Sequence, residues 1–402
     1  VSEGKRKICV VVASRANYAR IKTVLAAVKA HPDLELQVVA AASALLERFG
    51  TSVDVMRDDG FVPDATVRLI VEGENPATMA KSTGLGLLEL PTVFEMLDPD
   101  IVVTVADRFE TIATAIAGAY TNVPVAHTQG GEVSGSIDES VRHAVTKLAH
   151  IHFPATALSA RRLMAMGEDP ETVFNVGCPS IDLVAQTDLG LRAEALEALN
   201  QMGTGAVLDP EKPFLLMMQH PVTTEYGQSF DQINETLAAL AEIGMQALVF
   251  WPNVDAGSEQ VAKGIRIFRE QGEAAGFHFF RNLPAEVFFR LMAHCECMVG
   301  NSSAGLREGS VLGTPVVTLG SRQQGRECGV NVMEVEHDQA KIADAIREQV
   351  RHGRYPADDL FGDGTAGPQI AEILATIEPK IQKSLTYSKA QLEDPSGRAL
   401  PA

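Results

Sequence analysis

The chain has 402 residues, 46% apolar and 21% charged, which is ordinary globular composition at a length that exceeds one hydrophobic core, so two domains are expected. A formal charge of −18 excludes nucleic acid and anionic membrane as principal partners, and no apolar run reaches the ~20 residues needed to span a bilayer. The start of the chain lacks the apolar stretch of a signal peptide, and five scattered cysteines (Cys9, Cys178, Cys295, Cys297 and Cys328) form no disulfide framework, so a soluble cytoplasmic protein is expected.

Short β-branched runs alternate with longer helical patterns, the signature of parallel βαβ units. In the first half strands are expected at 7–13, 36–41, 101–106, 123–128, 150–155 and 173–177, with helices between them, for example at 19–30 and 110–120. The polar, glycine-containing stretch 185–212 reads as the domain junction. The pattern then restarts with strands at 214–219, 247–251, 278–281, 298–300 and 315–319. Two doubly wound α/β domains imply a cleft between the carboxyl ends of their strands, where such folds place ligands.

The residues with chemical potential follow those strands in order. Ser14-Arg15-Ala16-Asn17-Tyr18 leads into a helix, where Arg15 can meet an anion; the loop is no G-x-G-x-x-G fingerprint, which argues against a dinucleotide. Asp107-Arg108-Phe109-Glu110 puts a carboxylate at a strand end, suited either to acid/base work or to capping a helix. Gln129-Gly130-Gly131-Glu132 offers close backbone approach. Ser136 and Glu139 fit a capping box, with Asp138 in the first helical turn and placed to pair with Arg142. Asp107, Glu132 and Asp138 together would be carboxylates at adjacent strand ends.

In the second half His220 ends a strand in His220-Pro221-Val222-Thr223-Thr224-Glu225, and Asn253 follows the next. Gly300-Asn301-Ser302-Ser303-Ala304-Gly305 opens a helix with hydroxyls and free N–H groups, an anion site or a plain N-cap, with Glu308 further along. The loop 320–326 adds Arg322 and Arg326. Cys295-Glu296-Cys297 lacks a second ligand pair at zinc spacing, so no metal site is expected.

Taken together, these segments resemble the hydrolysing UDP-N-acetylglucosamine 2-epimerases, which make N-acetylmannosamine for sialic acid synthesis, over nearly the whole chain. The resemblance is carried by Asp107-Arg108-Phe109-Glu110, by Gly130 to His143, by His220 to Glu225 and by Gly300 to Gly305. It implies a GT-B fold, two Rossmann-like doubly wound domains with a cleft between them. The expected limits are 1–184 and 185–366, then a helix at 367–384 crossing back and a disordered tail at 385–402.

The resemblance also implies the reaction. A base removes the C2 proton as UDP leaves C1, and water adds to the resulting 2-acetamidoglucal without metal, nicotinamide or other cofactor. Asp107 and Asp138 become acid/base candidates; Arg15, Arg108, His220, Ser302, Ser303 and Arg322 diphosphate ligands; Asn253 and Glu308 contacts to uridine and ribose. A homodimer or homotetramer is expected. Several relatives carry glutamate where this chain has Gln129, which cannot exchange a proton, so that role is lost or moves to a neighbour such as Glu132. A UDP-2,4-diacetamido-trideoxyhexose is the alternative substrate; a GT-B glycosyltransferase or an inactive nucleotide-sugar binder are the alternative functions.

Overall fold

The computed structural model describes residues 4–47, 50–190, 199–209 and 211–386. Strands β1 (Arg6–Val12), β2 (Leu34–Ala41), β3 (Ala65–Val67), β4 (Ile101–Val105), β5 (Val125–Thr128) and β6 (Ile151–Phe153) form one parallel sheet of order β3-β2-β1-β4-β5-β6. The second sheet contains β7 (Thr204–Gly205), β8 (Phe214–Met218), β9 (Gln246–Phe250), β10 (Phe277–Phe280), β11 (Cys297–Gly300), β12 (Val316–Leu319) and β13 (Val332–Val335). Its order, β13-β12-β11-β8-β9-β10-β7, repeats the first with a short antiparallel strand, β7, added at one edge. This is the expected pair of Rossmann-like domains in a GT-B arrangement.

Each central strand is apolar on both faces because helices cover both. Along β1, Ile8, Val10 and Val12 pack into one core with the helices Arg15–Ala30 and Ala366–Thr376, while Cys9, Val11 and the following Ala13 pack into another with Leu90 and Phe94. In β8, Leu215 and Met217 face one core, and Phe214, Leu216 and Met218 the other.

Four differences from the sequence reading have local causes. Residues 173–177 form no strand: a single bridge joins Val173 to His152, and the chain turns at Gly177 (φ 86°) into the helix Pro179–Gln186. Strands β3, β7 and β13 are too short or too exposed to stand out as β-branched runs. The first helix begins at Arg15, four residues before its expected start, because Ser14 Oγ accepts the Asn17 N–H at 3.2 Å and caps it. The capping box is also displaced. Ser136 Oγ accepts from Asp138 N at 3.4 Å, but the Glu139 carboxylate reaches the N–H of Ser134 rather than that of Ser136.

The helix Ala366–Thr376 lies on Arg15–Ala30, its N-terminus held by Asp182, which accepts from Ala366 N (2.9 Å) and Gly367 N (2.6 Å). Lys383 then pairs with buried Glu168. The expected tail lies outside the described residues from 387 on. No described helix is long and apolar enough to cross a membrane.

Candidate active site

The strand order of each sheet reverses between β1 and β4 and between β8 and β11, and the loops leaving those strands face each other across a cavity of about 1350 Å³, open mouth included. Of the residues expected from sequence, Arg15, Asp107, Arg108, Asp138, His220, Asn253, Ser302, Ser303, Glu308 and Arg322 line it. Gln129 and Glu132 do not; both are buried.

Two glycines allow this convergence. At Gly300 (φ 135°) a Cβ would stand 2.0 Å from the Met218 carbonyl oxygen, so only glycine lets β11 turn beside β8 into the serine loop. At Gly135 a Cβ would meet the Ser321 carbonyl at 1.8 Å. Here loops of the two domains touch: Gly135 N donates to Arg322 O (3.1 Å), Thr224 Oγ1 to Gly135 O (3.2 Å), and Ile137 N to Thr223 Oγ1 (3.3 Å). Backbone strain gathers on the first-domain side. Ala42, Ala106 and Gln129, all just past strand ends, hold φ of 50°, 62° and 62°.

One wall of the cavity presents groups that suit an anion. Ser302 caps the short turn Ser303–Leu306, its Oγ accepting from Ala304 N at 3.3 Å, and Ser303 Oγ receives Arg20 (2.7 Å) and Arg307 (3.0 Å). His220 is fixed through its N–H to Asn301 Oδ1 (2.7 Å), while its Nδ1 faces the Asn253 N–H at 3.4 Å. Burial and then Arg322 lower its pKa to about 3, so at neutral pH it is an uncharged imidazole, with Nε2 left to carry the proton. Arg322 donates to Asn301 O (3.1 Å) and stands 3.7 Å from Asp138. Arg15 reaches across to Arg281 O (2.6 Å) and Asn282 Oδ1 (3.1 Å).

The opposite wall carries the two carboxylates. Burial alone would raise Asp107, but Arg142, then Arg326 and Arg20, hold it well below the usual carboxylate range. Asp138 goes the other way: burial first and Asp107 second push it up to about 6, against the pull of Arg322. The expected Asp138–Arg142 pair does not form, because the Arg142 guanidinium turns inward onto Asp107 and onto Glu139 (3.3 Å). Glu132 is bound by Arg307 (2.6 Å) and Arg326, which hold it down at about 2 against its burial. Gln129 donates to Cys178 Sγ (2.9 Å) and accepts from Arg20 (3.4 Å).

A family model described as UDP-N-acetylglucosamine 2-epimerase matches residues 26–375. The chain belongs to the UDP-N-acetylglucosamine 2-epimerase family. It is 32% identical over 372 residues to a UDP-N,N'-diacetylbacillosamine 2-epimerase (hydrolyzing) of Legionella pneumophila, covering 92% of this chain and 96% of the relative. It is 30% identical over 373 residues to a UDP-N-acetylglucosamine 2-epimerase of Neisseria meningitidis, covering 92% and 95%. In fold it matches the crystal structure of UDP-GlcNAc 2-epimerase from Neisseria meningitidis bound to UDP-GlcNAc, with TM-score 0.76, 18% identity and coverage of 92% and 99%. The Methanocaldococcus jannaschii UDP-GlcNAc 2-epimerase in complex with UDP-GlcNAc and UDP gives TM-score 0.76, 17% identity and coverage of 92% and 99%.

In this family member the sequence reading named Arg142 and Arg326 but missed Arg20 as a site residue and missed how the cations pair. Arg20 lines the cavity and joins Ser303 to Gln129, 4.0 Å from Asp107. Arg108, expected at the anion, is instead engaged by Glu110 and, across the cleft, by Asp255, each at 2.8 Å, with its Nη2 unpartnered among the described residues. Arg20 follows Arg15 on one helix, a spacing that was visible; the pairings of Arg142, Arg307 and Arg326 are tertiary and had no local signal.

Proposed function

We propose that the chain is a hydrolysing 2-epimerase that converts UDP-N-acetylglucosamine and water to UDP and N-acetylmannosamine. The observation that carries this reading is the pair Asp107 and Asp138, pushed apart in proton affinity on one wall of a cavity whose other wall presents hydroxyls, N–H groups and Arg322. Ser302, Ser303, His220 and Arg322 hold the diphosphate, as the N–H groups, hydroxyls and cation of that wall suit it, and Glu308 and Asn253 meet the nucleoside.

Asp138, the stronger base, takes the C2 proton. The C–H electron pair becomes the C1=C2 bond, and the C1–O bond breaks with its pair leaving on UDP. Water then adds across the double bond: its oxygen bonds C1, its second proton passes through the Asp107 carboxylate to C2 on the opposite face as the C1=C2 pair forms the new C2–H bond, and the proton held by Asp138 is released to solvent, which restores the base. Neutral His220 donates to the departing diphosphate without needing to be charged.

The Legionella relative supports the hydrolysing assignment and a second reading in which the substrate is the diacetamido analogue. Domain limits at 184/185 and 366/367 and a homodimer or homotetramer belong to the same proposal, the latter checked by sedimentation. The decisive experiment follows phosphorus and anomeric-proton NMR in heavy water. UDP with N-acetylmannosamine deuterated at C2 is expected. Unchanged UDP-N-acetylglucosamine with turnover of UDP-N,N'-diacetylbacillosamine selects the second reading, and UDP release only with an added acceptor selects a glycosyltransferase.

A further inference from the structure

Glu132 is a fully buried carboxylate that the reaction above does not use. The loop after β5 carries it from the first domain to the seam of the cleft, where its Oε2 accepts from Arg307 Nη2 (2.6 Å) and from Nε (2.9 Å) and Nη2 of Arg326. Both arginines belong to the second domain, and the three side chains are 1–5% exposed. Their mutual repulsion is offset by this carboxylate. The assembly also touches the chemistry. Arg326 Nη2 stands 3.7 Å from Asp107 Oδ2, and Arg142, which grips Asp107, donates to the Glu132 carbonyl at 2.9 Å. Arg307 in turn donates to Ser303 Oγ on the anion wall.

We propose that Glu132 is a positioning residue, a cross-domain latch that closes the cleft by gathering Arg307 and Arg326 and in doing so sets Arg326 against Asp107. Opening separates the latch cleanly, since the carboxylate leaves with one sheet and both cations with the other. Closure and the electrostatic setting of Asp107 are therefore one event. The proposal rests on the reading of this cavity as a UDP-sugar site.

The test compares wild type with Glu132→Gln, Glu132→Asp and the double variant Glu132→Gln/Arg326→Gln. Small-angle scattering with and without UDP reads closure, and initial rates on UDP-N-acetylglucosamine read chemistry. Glu132→Gln is expected to stay open with UDP bound and to lose kcat on the order of 100-fold, with UDP affinity within about 3-fold of wild type. Removing the stranded arginine in the double variant, or restoring the carboxylate in Glu132→Asp, recovers part of the loss. If Glu132→Gln does not fold, Arg326→Lys and Arg307→Lys replace it, and both are expected to open the cleft while binding UDP. Glu132→Gln, or both lysine variants in its place, closing on UDP with wild-type kcat overturns the latch. A kcat loss with UDP affinity falling in parallel would also overturn it, as plain structural damage. Wild type that binds no UDP and turns over neither UDP-sugar overturns the functional reading instead, so the two failures are distinguishable.

Discussion

Asp107 and Asp138 are the same side chain on neighbouring loops, and their surroundings shift their proton affinities in opposite directions. Arg142, Arg326 and Arg20 overcome the burial of Asp107 and keep it ionised; at Asp138 burial, helped by the carboxylates of Asp107 and Asp255, prevails over Arg322 at 3.7 Å and Arg108. If Asp138 is the base, it must be ionised to act. Its raised pKa then places the acid limb near pH 6, with kcat/KM rising through that pH and flattening above it. Asp138→Asn is expected to abolish that limb and lower kcat by about 10²–10⁴-fold, measured by a pH series of initial rates. The same variant should raise Tm at pH 7. A carboxyl whose folded pKa lies above its unfolded one is destabilising once ionised, and removing the charge relieves that penalty. His220, lowered to about 3, is expected to contribute no limb between pH 5 and 8.

The helix Ala366–Thr376 shows how one element far along the chain supports the site. It packs on Arg15–Ala30, the helix that presents Arg15 and Arg20, and Asp182 holds its N-terminus through two backbone N–H groups and Thr23 Oγ1 (3.2 Å). Asp182→Ala leaves those buried donors unpaired and is expected to cost about 2–4 kcal/mol, read as a lower urea midpoint at unchanged m. KM should rise in the same variant, because Arg15 and Arg20 lose their backing. An effect on stability below about 0.5 kcal/mol would show that the cap is dispensable.

At the scale of the whole molecule an anionic ligand must enter a protein of net charge −18. The cavity lining sets six cations, among them Arg15, Arg20 and Arg322, against five carboxylates, so the acidic excess of the chain lies outside it. Salt near 0.1 M has a Debye length of about 10 Å, which screens the distant repulsion more than the buried local attraction. Raising monovalent salt from 10 to 100 mM is therefore expected to increase kcat/KM at substrate concentrations below KM. A monotonic fall would mean that the local cations dominate at long range as well. The cross-cleft pairs, Arg108–Asp255 at 2.8 Å buried and Lys22–Glu286 at 2.7 Å partly exposed, should differ in the same series, the exposed pair weakening first.

The alternation of β-branched runs with amphipathic helices was enough to place the long parallel strands and hence the loops at their carboxyl ends. Arg15, Asp107, Asp138, His220 and Ser302 were legible for that reason, since side chains leaving a parallel strand face the cleft whatever the details of packing. The strand expected at 173–177 and the unforeseen β3 and β13 show the limit of the same signal, because ladders of a few residues are decided by their neighbours and not by propensity. By itself, then, the sequence determined the periodicities, the glycines at the cleft and the chemical types gathered there. Only the tertiary structure decided which arginine meets which carboxylate: Arg142 with Asp107, and Arg307 and Arg326 with Glu132. Those pairings bring together residues as far as 194 positions apart, and burial, which sets their strength and shifts their proton affinities, exists only once the two sheets have closed on each other.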